Sequence, residues 1–563
     1  MQKSVYVLLL AGLTLSSCKK LGQLTSDNFK VTPTPLVVTG GEVPATISVT
    51  FPEKYMKKKA SLTATPVLKY ANGQTEGNSA SFQGEKVEAN GTEVNYKVGG
   101  TYTMKSNFRY TEDMLKSDLY MSFRARLGKK SVSLPDVKIG YGVLATSQLL
   151  GRCLDGSNAA LAPDNFQRVI SQKQEASIKF LIAQSNLRTS ELQSVSIKEL
   201  VAVLREINDD QEGRALEAIE VSAYASPDGK YSFNEKLAER RQNTSTAYLK
   251  NELKKIKMSA DINTKYTAED WEGFQELVEA SNLQDKRVIL SVLSMYKDPE
   301  ERERQIRNMS EIYTDIKDGI MPELRRARLI VNYEVIGRSD EQIIDQFRTD
   351  ASKLSVEELV YGATMLMETP AEQKAWNQRI TQLYPNDYRA YNNLAQLAYA
   401  EGDHQTAASH LAKAKSVQNA APEVNTNLAL LALREGDAAK AETFLALGSG
   451  SNTYNETLGC LNIAKGNYAQ AAANLAGSNT NSQALAEILS DNYASAKQTL
   501  TNVKKADATT AYLKAVLAAR TGDTSALVEN LRSAIRQDGS LASRAQNDLE
   551  FANYTGTVAS LLK

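Results

Sequence analysis

Within residues 218–250, AIEVSAYASPDGKYSFNEKLAERRQNTSTAYLK, a hydroxyl, a carboxylate, an amide and a pair of guanidiniums crowd together at Ser226, Asp228, Asn234, Arg240 and Arg241. Such groups bind ions: a guanidinium takes a carboxylate through two parallel hydrogen bonds, and charge-assisted bonds are stronger than neutral ones. Little else in the chain could do chemistry. It has three cysteines, Cys18, Cys153 and Cys460, and two histidines, His404 and His410, whose spacing of six is not the i, i+4 of a helical metal pair. There is no Gly-x-Ser-x-Gly elbow, no phosphate-binding glycine loop and no His-Glu-x-x-His. The reading is recognition and not catalysis, with no enzyme activity, metal or cofactor expected.

The elements that position these groups follow from periodicity. Ile219, Val221 and Ala223 alternate as in a half-buried strand. Ser226-Pro227-Asp228-Gly229 reads as a turn, since Pro presets φ and Asp and Gly suit the positions after it. From Asn234 the period lengthens to that of a helix, with Leu237, Arg241 and Tyr248 near one face and Leu249, Leu253 and Ile256 on an adjoining flank.

Asn234-x-x-Leu237-x-x-Arg240-Arg241-x-Asn243, after a strand and a small-residue loop, resembles the OmpA-like peptidoglycan-binding domain, particularly as found in peptidoglycan-associated lipoproteins. That resemblance implies a site for the diaminopimelate of the wall stem peptide, an Asp in the loop taking its ammonium and an Arg on the helix its carboxylate. Arg241 falls at the Arg position. Ser226 stands where the family has Asp, and Asp228 either takes over that role or serves only as a turn former. The implied site is therefore Arg241, Asp228, Ser226 and Asn234.

The rest of the domain is expected around this stretch, over residues 173–338. Ala176–Ile182 alternates as a strand, Ser196–Ile207 is helical in spacing, and Ala327–Val335 supplies a closing strand after Arg325-Arg326, a pair that the resembled family often carries there. Residues 260–320 read as a charged helical insertion, far longer than the family's own loop.

At 563 residues the chain is expected to hold about three or four domains. Lys+Arg and Asp+Glu are equal at 66 each, so no global field recruits nucleic acid. Residues 1–17 carry a basic start and a short apolar run, a signal-peptide pattern and not a membrane span. Leu15-Ser16-Ser17-Cys18 resembles a bacterial lipobox, which implies lipidation of Cys18. Lys19 after it implies the outer membrane, and the absence of an acidic cluster its periplasmic face.

Residues 18–28 read as a tether and 29–142 as an Ig-like all-β sandwich, with short alternating runs between turns such as Asn72-Gly73 and Gly99-Gly100. Lys54–Lys59 (KYMKKK) reads as a solvated basic loop. Residues 143–172 read as a connector. From 339 to 563 the chain is Ala- and Leu-rich, with turns at Gly402-Asp403, Gly436-Asp437, Gly466-Asn467, Asp491-Asn492 and Gly522-Asp523 at spacings of 25 to 34 residues. This resembles the tetratricopeptide repeat, an all-α solenoid whose concave groove binds protein segments. Cys153 and Cys460 lie in different segments, and nothing in the sequence pairs them.

Two functions are implied. One is a non-enzymatic outer-membrane lipoprotein that tethers the envelope through the wall peptide and recruits a protein through its repeats. The other is an accessory subunit of an outer-membrane assembly or secretion complex, its partner including a β-barrel, whose OmpA-like domain no longer binds peptidoglycan.

Overall fold

The computed structural model describes residues 21–283 and 285–562; the signal-like segment and Cys18 lie outside the described residues. The chain forms two compact units. One joins residues up to Asp164 with those from Met367 onward, and the other is Asn165–Leu366. The second is thus an insertion into the first.

The inserted unit is built on a four-stranded sheet. Its elements in chain order are β1 (Val169–Lys179), α1 (Val195–Asp209), β2 (Arg214–Tyr224), α2 (Tyr231–Lys255), β3 (Ile262–Thr267) and β4 (Arg326–Ile336). Sheet order is β1-β4-β2-β3, with β4 antiparallel to both neighbours and β3 parallel to β2. The apolar stripe of α1 (Ile197, Leu200, Leu204, Ile207) and Leu249 and Leu253 of α2 bury against Ile178, Ile219, Val221, Leu329 and Val331. That is the outcome expected of 3.6-residue and two-residue periods meeting over one core.

Three expectations need correction here. The insertion is not purely helical: it begins with β3 on the sheet edge, and its helices, including Trp271–Ala280, Lys286–Met295 and Pro299–Arg307, enclose their own core around Phe274, Ile289, Leu293 and Ile320. The first strand starts at Val169 and stops at Lys179, leaving Leu181 and Ile182 exposed in the loop beyond it. Helices Asp340–Asp350 and Val356–Tyr361 belong to this unit and not to the repeats. The unit's two ends lie side by side. Gly337 N donates to Arg168 O at 2.6 Å, Arg168 pairs with Asp340, and the Phe166 and Tyr361 rings sit 4.6 Å apart.

In the other unit, residues 29–144 form two main sheets over one shared core. Glu42–Phe51 buries Val43, Ala45, Ile47, Val49 and Phe51 on alternate positions, and Ala60–Tyr70 and Ser117–Leu127 supply the facing sheet. Leu21 and Leu24 are buried in that core, so residues 21–28 are packed and are not a free tether.

Residues 370–561 form the helical repeats. The first helices of five successive pairs are α3 (Tyr388–Ala400), α4 (Pro422–Arg434), α5 (Tyr454–Ala464), α6 (Asn481–Leu489) and α7 (Ala508–Thr521), and they pack on one another along the array. Four pairs turn at a glycine with φ between 77° and 83°, Gly402, Gly436, Gly466 and Gly522. That left-handed geometry closes a helix at little steric cost only for glycine. Asp403, Asp437 and Asp523 then cap the next helix by accepting from backbone N–H groups. Ala407, Ala441, Ala471 and Ala496 are buried where paired helices approach. Among the described residues no helix is long and apolar enough to cross a membrane.

Candidate functional site

The four residues singled out by sequence do converge, at the C-terminal ends of β1 and β2 and the start of α2. Ser226-Pro227-Asp228-Gly229 makes its turn with Asp228 N donating to Ser226 O at 2.8 Å. Asn234, in the first turn of α2, holds that loop by donating through Nδ2 to Ser226 O (3.1 Å) and Gly229 O (3.0 Å). Ser226 Oγ donates to Asp228 Oδ1 at 2.7 Å.

Both charges are engaged within the protein. Arg325 Nη2 donates to Asp228 Oδ2 at 3.0 Å, and Arg325 Nε reaches Ser226 Oγ at 3.3 Å. Arg241 is 1% exposed and gives Nε to Gln184 O (3.0 Å), Nη1 to Tyr224 O (2.8 Å) and Nη2 to Leu181 O (3.2 Å). Its guanidinium lies 5.1 Å from the Phe180 ring centre. Burial, then the neighbouring charge of Arg325, pushes its pKa down to about 10, with Asp228 opposing. Arg241 thus ties the loop after β1 to the end of β2.

The insertion closes over the same loop. Arg307 Nη2, from helix Pro299–Arg307, donates to Asp228 O at 2.7 Å. Arg326 donates to Asp270, which caps helix Trp271–Ala280 and whose carboxyl is raised by burial. Arg325 and Arg307 were not among the residues assigned to the site from sequence. The Arg325-Arg326 pair before the closing strand was the available signal for the first; Arg307 sits in a charged helix with nothing to mark it.

The second candidate is the inner face of the repeats, and it is already filled. Residues 146–164 run along the first helices as a strap. Leu149, Leu150, Cys153 and Leu154 join the array's own core, and an extended run follows. Asn427 of α4 reads Ala160 from both sides, its Oδ1 accepting from Ala160 N (2.6 Å) and its Nδ2 donating to Ala160 O (2.9 Å). Asn392 of α3 donates to the same carbonyl at 2.9 Å, and Asn393 accepts from Ala162 N at 3.0 Å. Glu456 of α5 accepts from Asn158 N at 3.3 Å, and Arg389 of α3 donates to Asp164 O at 2.8 Å. Contacts therefore fall on residues 158, 160, 162 and 164, the period of an extended chain.

This overturns the expected open groove, since the strap's own residues belong to the core of the repeats. The polar side chains that could read a foreign peptide backbone are used on the chain's own. Cys153 of the strap and Cys460 of α5 end up in one cluster as buried free thiols, both raised by that burial. Among the described residues no group of three or more His, Cys, Asp or Glu could hold a metal.

No family model matches the chain, and no curated protein does. Solved structures similar to parts of it include PilW, a widely conserved type IV pilus biogenesis factor, at 14% identity over 40% of this chain and 96% of that one with a TM-score of 0.25. The Pseudomonas aeruginosa pilF protein is similar at 16% identity over 39% and 99%, TM-score 0.25. The APC/C hetero-tetramer Cut9–Hcn1 gives 13% over 60% and 67%, TM-score 0.31.

Proposed function

We propose that the chain is a non-catalytic scaffold of the bacterial envelope, lipid-anchored through Cys18 at the periplasmic face of the outer membrane. In this reading it is an accessory subunit of an envelope protein complex. Its inserted unit is an OmpA-like domain turned from wall-peptide receptor into docking module. Its helical pairs are tetratricopeptide-like repeats whose outer face and ends, not their groove, are left for a protein partner. The observation that carries the reading is the engagement of Asp228 by Arg325 together with the burial of Arg241 on three backbone carbonyls. A zwitterionic ligand needs one open anion and one open cation, and here both are satisfied internally.

The test is sedimentation of the chain from Lys19 onward, which lacks Cys18 and so carries no lipid, with purified sacculi containing diaminopimelate. The expected result is that the protein stays in the supernatant. Co-sedimentation abolished by both Asp228→Asn and Arg241→Ala would instead establish the wall-tether reading, with Arg325 displaced by the ligand's ammonium.

A further inference from the structure

The end of the β-sandwich where the described chain begins carries a concentrated positive charge. Gly22 lies against Tyr55, a Cβ built on it falling 3.7 Å from the Tyr55 ring, and Tyr55 stacks on Phe51 in the core. Tyr55 and Met56 are buried, while Lys54, Lys58 and Lys59 around them are exposed. Backbone hydrogen bonds gather three other turns onto this loop: Lys54 N to Tyr96 O (2.7 Å), Lys86 N to Lys58 O (2.7 Å) and Gly128 N to Lys59 O (2.9 Å).

Across residues 52–59, 84–90, 95–99 and 127–130, lysines outnumber glutamates eight to three with no aspartate, in a chain whose total charge is zero. One glutamate, Glu85, is taken by Lys58 at 3.5 Å and by Tyr96 N at 3.1 Å. Beside Lys97, at the tip of one turn, Val98 is 71% exposed. Gly99 makes that turn possible: at φ +70° it passes so close to Phe51 O that a Cβ would lie 2.1 Å from it.

We propose that this face is a membrane-contact surface for anionic phospholipid headgroups, with Lys54, Lys57, Lys59, Lys86, Lys97 and Lys130 facing the phosphates and Val98 entering the interface. Its orientation rests on the reading of Cys18 as the lipid anchor. Three peptide steps separate Cys18 from Leu21, so the acylated residue stays within about 11 Å of the buried Leu21. The anchor thus presents this end of the sandwich to the bilayer. Acyl chains combined with a basic patch are the pairing of signals that fixes a protein on a surface. The contact sets how the molecule stands on the membrane; the acyl chains hold it there.

The experiment uses the chain from Lys19 onward, without Cys18 or lipid, so that it succeeds or fails independently of both Cys18 processing and wall binding. Binding is measured by flotation with phosphatidylcholine vesicles that contain or lack phosphatidylglycerol. The expected result is binding to the anionic vesicles only, lost at high salt. Replacing Lys59, Lys86, Lys97 and Lys130 together by Gln lowers partitioning by about fivefold per lysine. Lys504→Gln with Lys505→Gln, exposed lysines of the repeats, leaves it unchanged. Equal binding to neutral vesicles, binding insensitive to salt, or equal loss in the control pair overturns the proposal. So does capture by soluble polyphosphate with no vesicle flotation. The salt series on the parent decides the matter even if the quadruple variant folds poorly.

Discussion

Asn427→Ala tests the strap most directly. The Asn427 side chain is 3% exposed and makes three contacts: it accepts from Ala160 N, donates to Ala160 O and donates to Asn392 Oδ1 at 3.0 Å. Truncation leaves the Ala160 N–H without this acceptor inside the core, whereas Ala160 O keeps Asn392. A buried donor left unmade costs about 1–3 kcal/mol, and the lost bonds and the space vacated add to it, so the unit should lose about 2–4 kcal/mol. The chain supplies its own reporters, since Trp376 lies in the unit that holds the strap and Trp271 in the inserted one. Urea unfolding is followed by fluorescence in a Trp271→Phe background for the first and a Trp376→Phe background for the second. The first transition should move and the second should not. Asn462→Ala is the comparator: its amide donates to Asn474 and accepts from Asn467, both within the repeats and neither in the strap. A change within about 0.5 kcal/mol of the parent, or an equal shift of the Trp271 transition, would refute the reasoning.

Arg241→Lys should destabilise the inserted unit by about 2–4 kcal/mol, read from Trp271, because an ammonium cannot span the three carbonyls that the planar guanidinium serves. One contribution to the pH dependence of the strap-bearing unit comes from Glu456, whose carboxyl is raised by burial against the opposing bonds from Asn158. The folded carboxyl keeps a proton at pH values where the unfolded one has lost it, so the stability contributed by Glu456 should fall as pH rises from the ordinary carboxylate range through the raised value. Glu456→Gln should remove that contribution, so that in urea titrations the variant gains stability relative to the parent as pH rises from acidic to neutral.

The legible parts of this chain are those written in local periods. Val43 to Phe51 alternates as its strand does, and the Gly-Asp dipeptides at 402, 436 and 522 mark turns because a left-handed glycine and an N-cap aspartate are both local requirements. The strap was not legible. The partners of Ala160 and Ala162 lie 231 to 267 residues away, and Asn392, Asn393 and Asn427 read alone as ordinary polar positions on helices. Their recurrence 35 residues apart on successive first helices was the one available signal. The internal partner of Asp228 was illegible for a similar reason. Asp228, Arg241 and Asn234 share a short segment, but the cation that occupies Asp228 comes from 97 residues downstream.

The side-by-side ends of the inserted unit bear on the order of folding. The strap is made early and the helices that enclose it late, with Asn165–Leu366 between them. Closing that interval as a flexible chain costs about 5 kcal/mol in loop entropy. Once the insertion has folded by itself, Phe166 and Tyr361 are in contact and Arg168 is paired with Asp340, so the long loop has become a short hinge. As the chain is made from N to C terminus the insertion can complete first, drawing strap and repeats together. Until the last repeats arrive, Leu149, Leu150 and Leu154 have no core to enter. For that interval the chain presents an apolar segment to its surroundings, which makes the strap the place where a holding chaperone would act.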